Sequence, residues 1–155
     1  MSGTGIRVHG LDQVLANLNA EAIRMTQGGK RGLIRGGLII MRGSMDKTPV
    51  QFGNLRASHY MVMKGTSQRG GSFNDKGGDK AKLQGNAQAV LSIDRERVED
   101  MHIKVGASAY YAIFVHEDMA AGHRGKGRAK FLELSVQENQ DRVLAAMAEE
   151  MRKEL

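Results

Sequence analysis

The stretch HEDMAAGH, residues 116–123, crowds two histidines and two acids into eight positions. A helical zinc site needs His-Glu-x-x-His, which sets two imidazoles one turn apart with a glutamate as base. Here the residue four after His116 is Ala120, and Gly122 separates the acids from His123. His116, Glu117 and His123 therefore lack the spacing of a metal site, and they read as a polar strand end or a contact between subunits. GGKRG, residues 28–32, offers glycines and cations without the Gly-Lys-Ser/Thr ending of a phosphate-cradling loop. His59, His102 and His116 sit in alternating segments, where surface or hydrogen-bonded core histidines are expected. No serine, histidine and aspartate share a distinctive local context. The chain has no cysteine, which excludes disulfides, thiolate zinc sites and thiol catalysis. The expectation is a protein without catalytic, cofactor-binding or metal-binding residues.

Charge is the other chemical resource. The 155 residues carry a formal net charge of +6, unevenly spread. Arg56, Lys64, Arg69, Lys76, Lys80 and Lys82 face only Asp75 and Asp79 within residues 56–82. Arg124, Lys126, Arg128 and Lys130 share residues 122–130 with no acid, whereas residues 133–155 hold six acids against three bases. Basic loops beside an acidic end can bind nucleic acid, or meet their opposite on another copy of the chain. The candidate contacts are Lys64, Arg69, Lys76, Lys80, Lys82, Arg124, Lys126 and Arg128, with protein favoured over DNA for most of them.

The elements that must position these groups follow from periodicity. GIRVHG suits a short strand. Leu11, Val14, Leu15, Leu18, Ala22 and Met25 then follow helical spacing, and Gly28-Gly29 is expected to break or bend that helix. A second helical stretch, residues 30–47, places Ile34, Leu38, Met41 and Met45 on one stripe. Gly28, Gly32 and Gly36 fall four apart, a pattern for close backbone approach either to the protein's own sheet or to a neighbouring subunit. The single proline, Pro49, makes Thr48 a helix stop. Gly53-Asn54 reads as a turn into an alternating strand, LRASHYMVMKG. Residues 65–86 hold six glycines and no period, and are expected to form a long, polar, flexible insert. AQAVLSIDR and DMHIKVG read as strands joined by a hairpin at RERVED. ASAYYAIFVHEDM fits a buried strand or a short helix. A last helix carries Leu132, Val136, Val143, Met147 and Met151 on one stripe. The expected class is α+β in a single domain over residues 1–155: an antiparallel sheet of about four strands against long N- and C-terminal helical segments. No apolar run approaches the ~20 residues that cross a bilayer. The first ten residues lack the apolar centre of a signal peptide. A soluble protein made in the cytoplasm is expected.

Three segments carry a resemblance. DKTPVQFGNLRASH resembles the Pro-x-x-x-Gly-x-Leu-Arg-x-Ser signature of a tailed-phage family of head–tail joining, or minor tail-component, proteins. VGASAYYAIFVHE is similar to that family's Val-Gly…Tyr-Ala…His/Glu segment, and GRAKFLELSV to its closing helix start. The three come in the family's order over roughly residues 46–136, and GIRVHGLDQVLANL suits its opening strand and helix. By position, Pro49, Gly53, Leu55, Arg56 and Ser58 form the first motif. Val105, Gly106, Tyr111, Ala112, Val115, His116 and Glu117 form the second, and Phe131 and Leu132 the third. Gln51-Phe52 departs from the family's usual Asp-Thr, Lys130 stands where a proline is usual, and the 65–86 insert is long. The resemblance implies a structural virion protein of the neck or tail, made in the bacterial host cytoplasm. It implies a hexameric or dodecameric ring of copies of the chain, through which genomic DNA passes. Its neighbours would be a connector, stopper, tail terminator or tail tube protein, and no cofactor or membrane is involved. Arg56, His116 and Glu117 become candidates for contacts between subunits. The alternative reading is a small basic nucleic-acid-binding protein.

Overall fold

The structure, a computed structural model, describes residues 11–120 and 127–154, with side chains from residue 26 onward. The expected strand GIRVHG, together with His123, Arg124 and Lys126, lies outside the described residues. The fold is α+β, with a three-stranded antiparallel sheet and long helices at both ends of the sequence.

The two expected N-terminal helices are one, α1 (Leu11–Lys47), of 37 residues. Gly28-Gly29 does not break it, because α1 uses its glycines for packing. A Cβ on Gly32 would come 2.9 Å from Cα of Met147, and one on Gly36 would come 2.8 Å from Cγ1 of Val143. Gly28 and Gly43 meet Glu150 and Ser135 in the same way. All four contacts are to the last helix, α5 (Phe131–Arg152), which runs antiparallel to α1. Gly37 instead opens toward the sheet, against Ile103 and Met61. The close approach read from the glycine spacing is thus made within the chain.

Thr48 ends α1 as its place before Pro49 requires. Its hydroxyl donates to the Ser44 carbonyl (2.7 Å), and its amide reaches Met45 O. Gly53 takes φ 84, a left-handed turn favouring glycine, and starts the four-residue α2 (Asn54–Ala57). The expected strand from Leu55 therefore begins later, as β1 (His59–Met63). β1 is the central strand, flanked antiparallel by β2 (Thr66–Arg69) and β3 (Ile103–Ala107). Both of its faces are covered, so burial does not alternate along it. Met61 lies toward α1, while Val62 and Tyr60 pack with Leu91 and Val98 on the other side.

Residues 65–86 do not form one long loop. Gly65, at φ 86, turns the chain into β2, and α3 (Lys80–Arg97) begins inside the same stretch. AQAVLSIDR, expected as a strand, is the middle of α3, so the sheet has three strands rather than four. Leu83, Ala87, Leu91 and Asp94 form its buried face at helical spacing. That stripe was split between a supposed loop and a supposed strand, so neither half showed its period. RERVED accordingly finishes α3 and leads to β3 instead of joining two strands. ASAYYAIFVHEDM resolves as the short α4 (Ala112–Glu117). In α5 the buried positions are Phe131, Ser135, Asn139, Ala146 and Glu150, while Val136 is exposed. Val143, Met147 and Met151 of the expected stripe do meet the glycines of α1, at Gly36, Gly32 and Gly28, while the polar Ser135 and Asn139 fit against Gly43.

Candidate functional site

The segment after α1 and the segment around α4 meet on one face. Three backbone constraints hold them. Arg128 N–H donates to Lys47 O (2.9 Å), Lys130 N–H donates to His116 O (2.7 Å), and Gly127 lies flat on Pro49, where a Cβ would fall 2.4 Å from Cα. Asn54 fixes the turn from below: its amide donates to Asn74 O (3.0 Å) and accepts from Asn74 N–H (2.9 Å). Asn74 in turn donates its own amide to Phe52 O (2.7 Å). The result is an open groove of about 720 Å³ between Pro49–Leu55 and Tyr111, Phe114 and Val115, with Asp79 and Asp118 on its walls.

Beneath the groove the motif residues are structural. Leu55, Ala112 and Phe131 are buried in one cluster with Phe73, Leu83, Ala87 and Ala109, and Tyr111, Val115 and Leu132 pack against it. Burial raises the Tyr111 phenol above its usual range. Ser58 is buried; its hydroxyl donates to Leu55 O (2.7 Å), and its carbonyl accepts from Ser108 N–H. Gly106 lets the Tyr60 ring lie across β3, where a Cβ would sit 3.0 Å from the phenol oxygen. Val105, half-buried, pairs with Met61 in the sheet.

The polar candidates are used within the chain. Arg56 pairs with Asp46 (3.0 Å). His116 bonds Glu117 (2.7 Å) and sets its ring edge-on to Phe131, with centroids 4.9 Å apart. Glu117 also pairs with Lys130, and these two bonds hold its carboxyl below the usual range. Lys130 takes φ 55 at the start of α5. A proline, locked near −65°, could not occupy that position. Of the basic candidates, Lys64 pairs with Asp100 (3.3 Å), and Lys82 lies 3.7 Å over the Tyr110 ring. Arg69 stands over Phe73, while Lys76, Lys80 and Arg128 are exposed.

One pair has the geometry of a catalytic dyad. Ser44 Oγ donates to Nε2 of His59 (2.8 Å), while Nδ1–H faces the carbonyls of Leu55 (3.2 Å) and Arg56 (3.1 Å). Both side chains are buried, at 0% and 1% exposure, so no substrate reaches the hydroxyl. This is a satisfied core histidine. Among the described residues no group of three or more His, Asp and Glu could hold a metal, and no helix is long and apolar enough to cross a membrane.

Sequence reasoning missed the groove's rim. Val50, Phe52 and Phe114, which line it, are large and exposed, Phe114 at 72%, and Tyr110, Ile113 and Met119, which lie outside its lining, are exposed too. The signal was present in YYAIFV, an apolar run too dense for a six-residue helix to bury on one side. The chain matches no protein-family model, no curated protein and no solved structure.

Proposed function

We propose that this chain is a non-catalytic, ring-forming structural subunit of a phage neck, joining head to tail in the virion after synthesis in the host cytoplasm. The observation that supports this best is the apolar rim. Two of the three segments that resemble the neck family converge on one groove and leave large side chains in water. Val50, Phe52 and Phe114 expose on the order of 300 Å² of side chain, within the range of a monomer's largest patch. Each partner in a stable interface contributes ~800 Å², of which this rim would be the apolar centre. A copy of the chain, or a neighbouring connector, stopper, terminator or tube protein, would cover it.

The test is mass measurement of the purified protein, alone and with neck partners, beside a Phe114→Asp variant. The wild type is expected as a closed oligomer, hexameric or dodecameric. The variant should stay a folded monomer, because Phe114 contributes little to its own subunit's core. A wild type that remains monomeric under every condition overturns the reading.

A further inference from the structure

A second groove, of about 760 Å³, lies between β2 and α3 and differs chemically from the first. One stripe of α3 lines it. Lys80, Gln84, Gln88, Ser92 and Arg95 recur at helical spacing, and Arg69 reaches in from the end of β2. From Lys80 to Arg95 the stripe runs ~22 Å at 1.5 Å per residue. Among the described residues no acid lines the groove. Asp94 is engaged with Tyr60 and Lys104 and Asp79 with Tyr110, while Glu96, beside Arg95 in sequence, lies outside the lining. Two of the three cations are held in place by neutral groups, which leaves their charge uncompensated. Arg95 donates to Ser67 Oγ (2.8 Å), and Arg69 lies 5.6 Å over the Phe73 ring. Phe73 and Leu91, the apolar residues of the lining, are both buried.

We infer that this groove holds the phosphodiester backbone of nucleic acid. A protein partner needs an apolar anchor at the centre of its contact, and this surface offers none. Base recognition from single strands needs exposed rings for stacking, and none is present in the lining. Spaced cations separated by amide and hydroxyl donors match phosphates separated by sugars. Binding is therefore independent of sequence and follows phosphate density, so duplex DNA binds more tightly than a single strand. The inference stands on this groove alone and does not depend on the neck assignment. Ring assembly is read by mass and nucleic-acid binding by titration, so either can fail without the other.

The experiment is fluorescence anisotropy of labelled 20-base-pair DNA and a 20-nucleotide single strand across a salt series. It compares the wild type with Arg69→Gln/Lys80→Gln/Arg95→Gln and with Lys30→Gln/Arg42→Gln/Arg152→Gln, which removes equal charge elsewhere. The groove variant should lose about tenfold or more in duplex affinity at low salt, with its log–log salt slope reduced by about 2.7. The control should change little. Lys80→Gln alone, at an exposed position without an ion pair, should reduce the slope by about 0.9 without touching the fold. Equal losses in both triple variants, or no wild-type binding at low salt, would overturn the inference. So would polyglutamate displacing the duplex charge for charge, which would reassign the groove to an acidic protein surface.

Discussion

His59 shows how one buried side chain couples the fold to pH. Its ring is held neutral, with Nδ1–H facing two carbonyls and Nε2 accepting from Ser44. Burial pushes its pKa below the ordinary 6.5, and the carbonyl bonds offset this only in part. As pH falls, the unfolded chain takes up the proton first. The stabilisation is therefore complete above about 6.5 and is lost as pH drops through the folded value. The Glu150 carboxylate acts in a separate window. Lys153, Arg31 and Arg35 hold it at about 2, so its contribution is lost only as pH falls from 4.5 toward that value. His59→Gln should cost about 1–3 kcal/mol at neutral pH. It should also flatten the decline in stability between pH 6.5 and 5, read from urea unfolding. An unchanged pH slope would show that another group carries it. At this scale the sequence was partly legible. A surface or a hydrogen-bonded core histidine was expected, and His59 is the core kind. The partners of Arg56 and Glu117 were not readable, because Asp46 and Lys130 come beside them only through the turn after α1 and the approach to α5.

Elements were legible where their period lay on one face and was not cut by glycine. α5 and β3 meet that condition. α1 was divided at Gly28-Gly29 because an isolated helix loses roughly 0.5–1 kcal/mol at each glycine, and the helix that repays this lies far along the chain. α3 was lost because Gly77, Gly78 and Gly85 made its first turns look like loop. Gly85 has nothing within 4 Å, so it serves no packing role that could have marked the helix. The glycines of α1 differ among themselves. At Gly32 a Cβ would meet the Met147 backbone, which cannot rotate away, whereas at Gly36 it would meet a methyl of Val143, which can. Gly32→Ala should therefore destabilise by about 1–3 kcal/mol. Gly36→Ala should cost less, or gain from its better helix propensity. Thermal unfolding of the two variants decides this, and an equal loss would mean that α5 moves as a rigid body.

For the whole molecule, α+β with helices at both ends was readable from the order of periodic segments. The mutual packing of those end helices was not, since no local pattern records it. Side chains that pair across α1 and α5 lie 91 to 119 positions apart. This separation has a consequence for how the protein comes into being. At 5–20 residues per second, a ribosome that has released the glycine-rich half of α1 needs roughly 5–25 s more before the matching turn of α5 emerges. During that time α1 lacks the surface that compensates its glycines, and a helix so interrupted is poorly stable alone. The helix and its closure should therefore arise together, after synthesis of the whole span. Stopped-flow refolding should show the α1 helical signal and the burial of α5 growing in one phase. A fast helical phase that precedes closure would instead place α1 among the structures formed on the nascent chain.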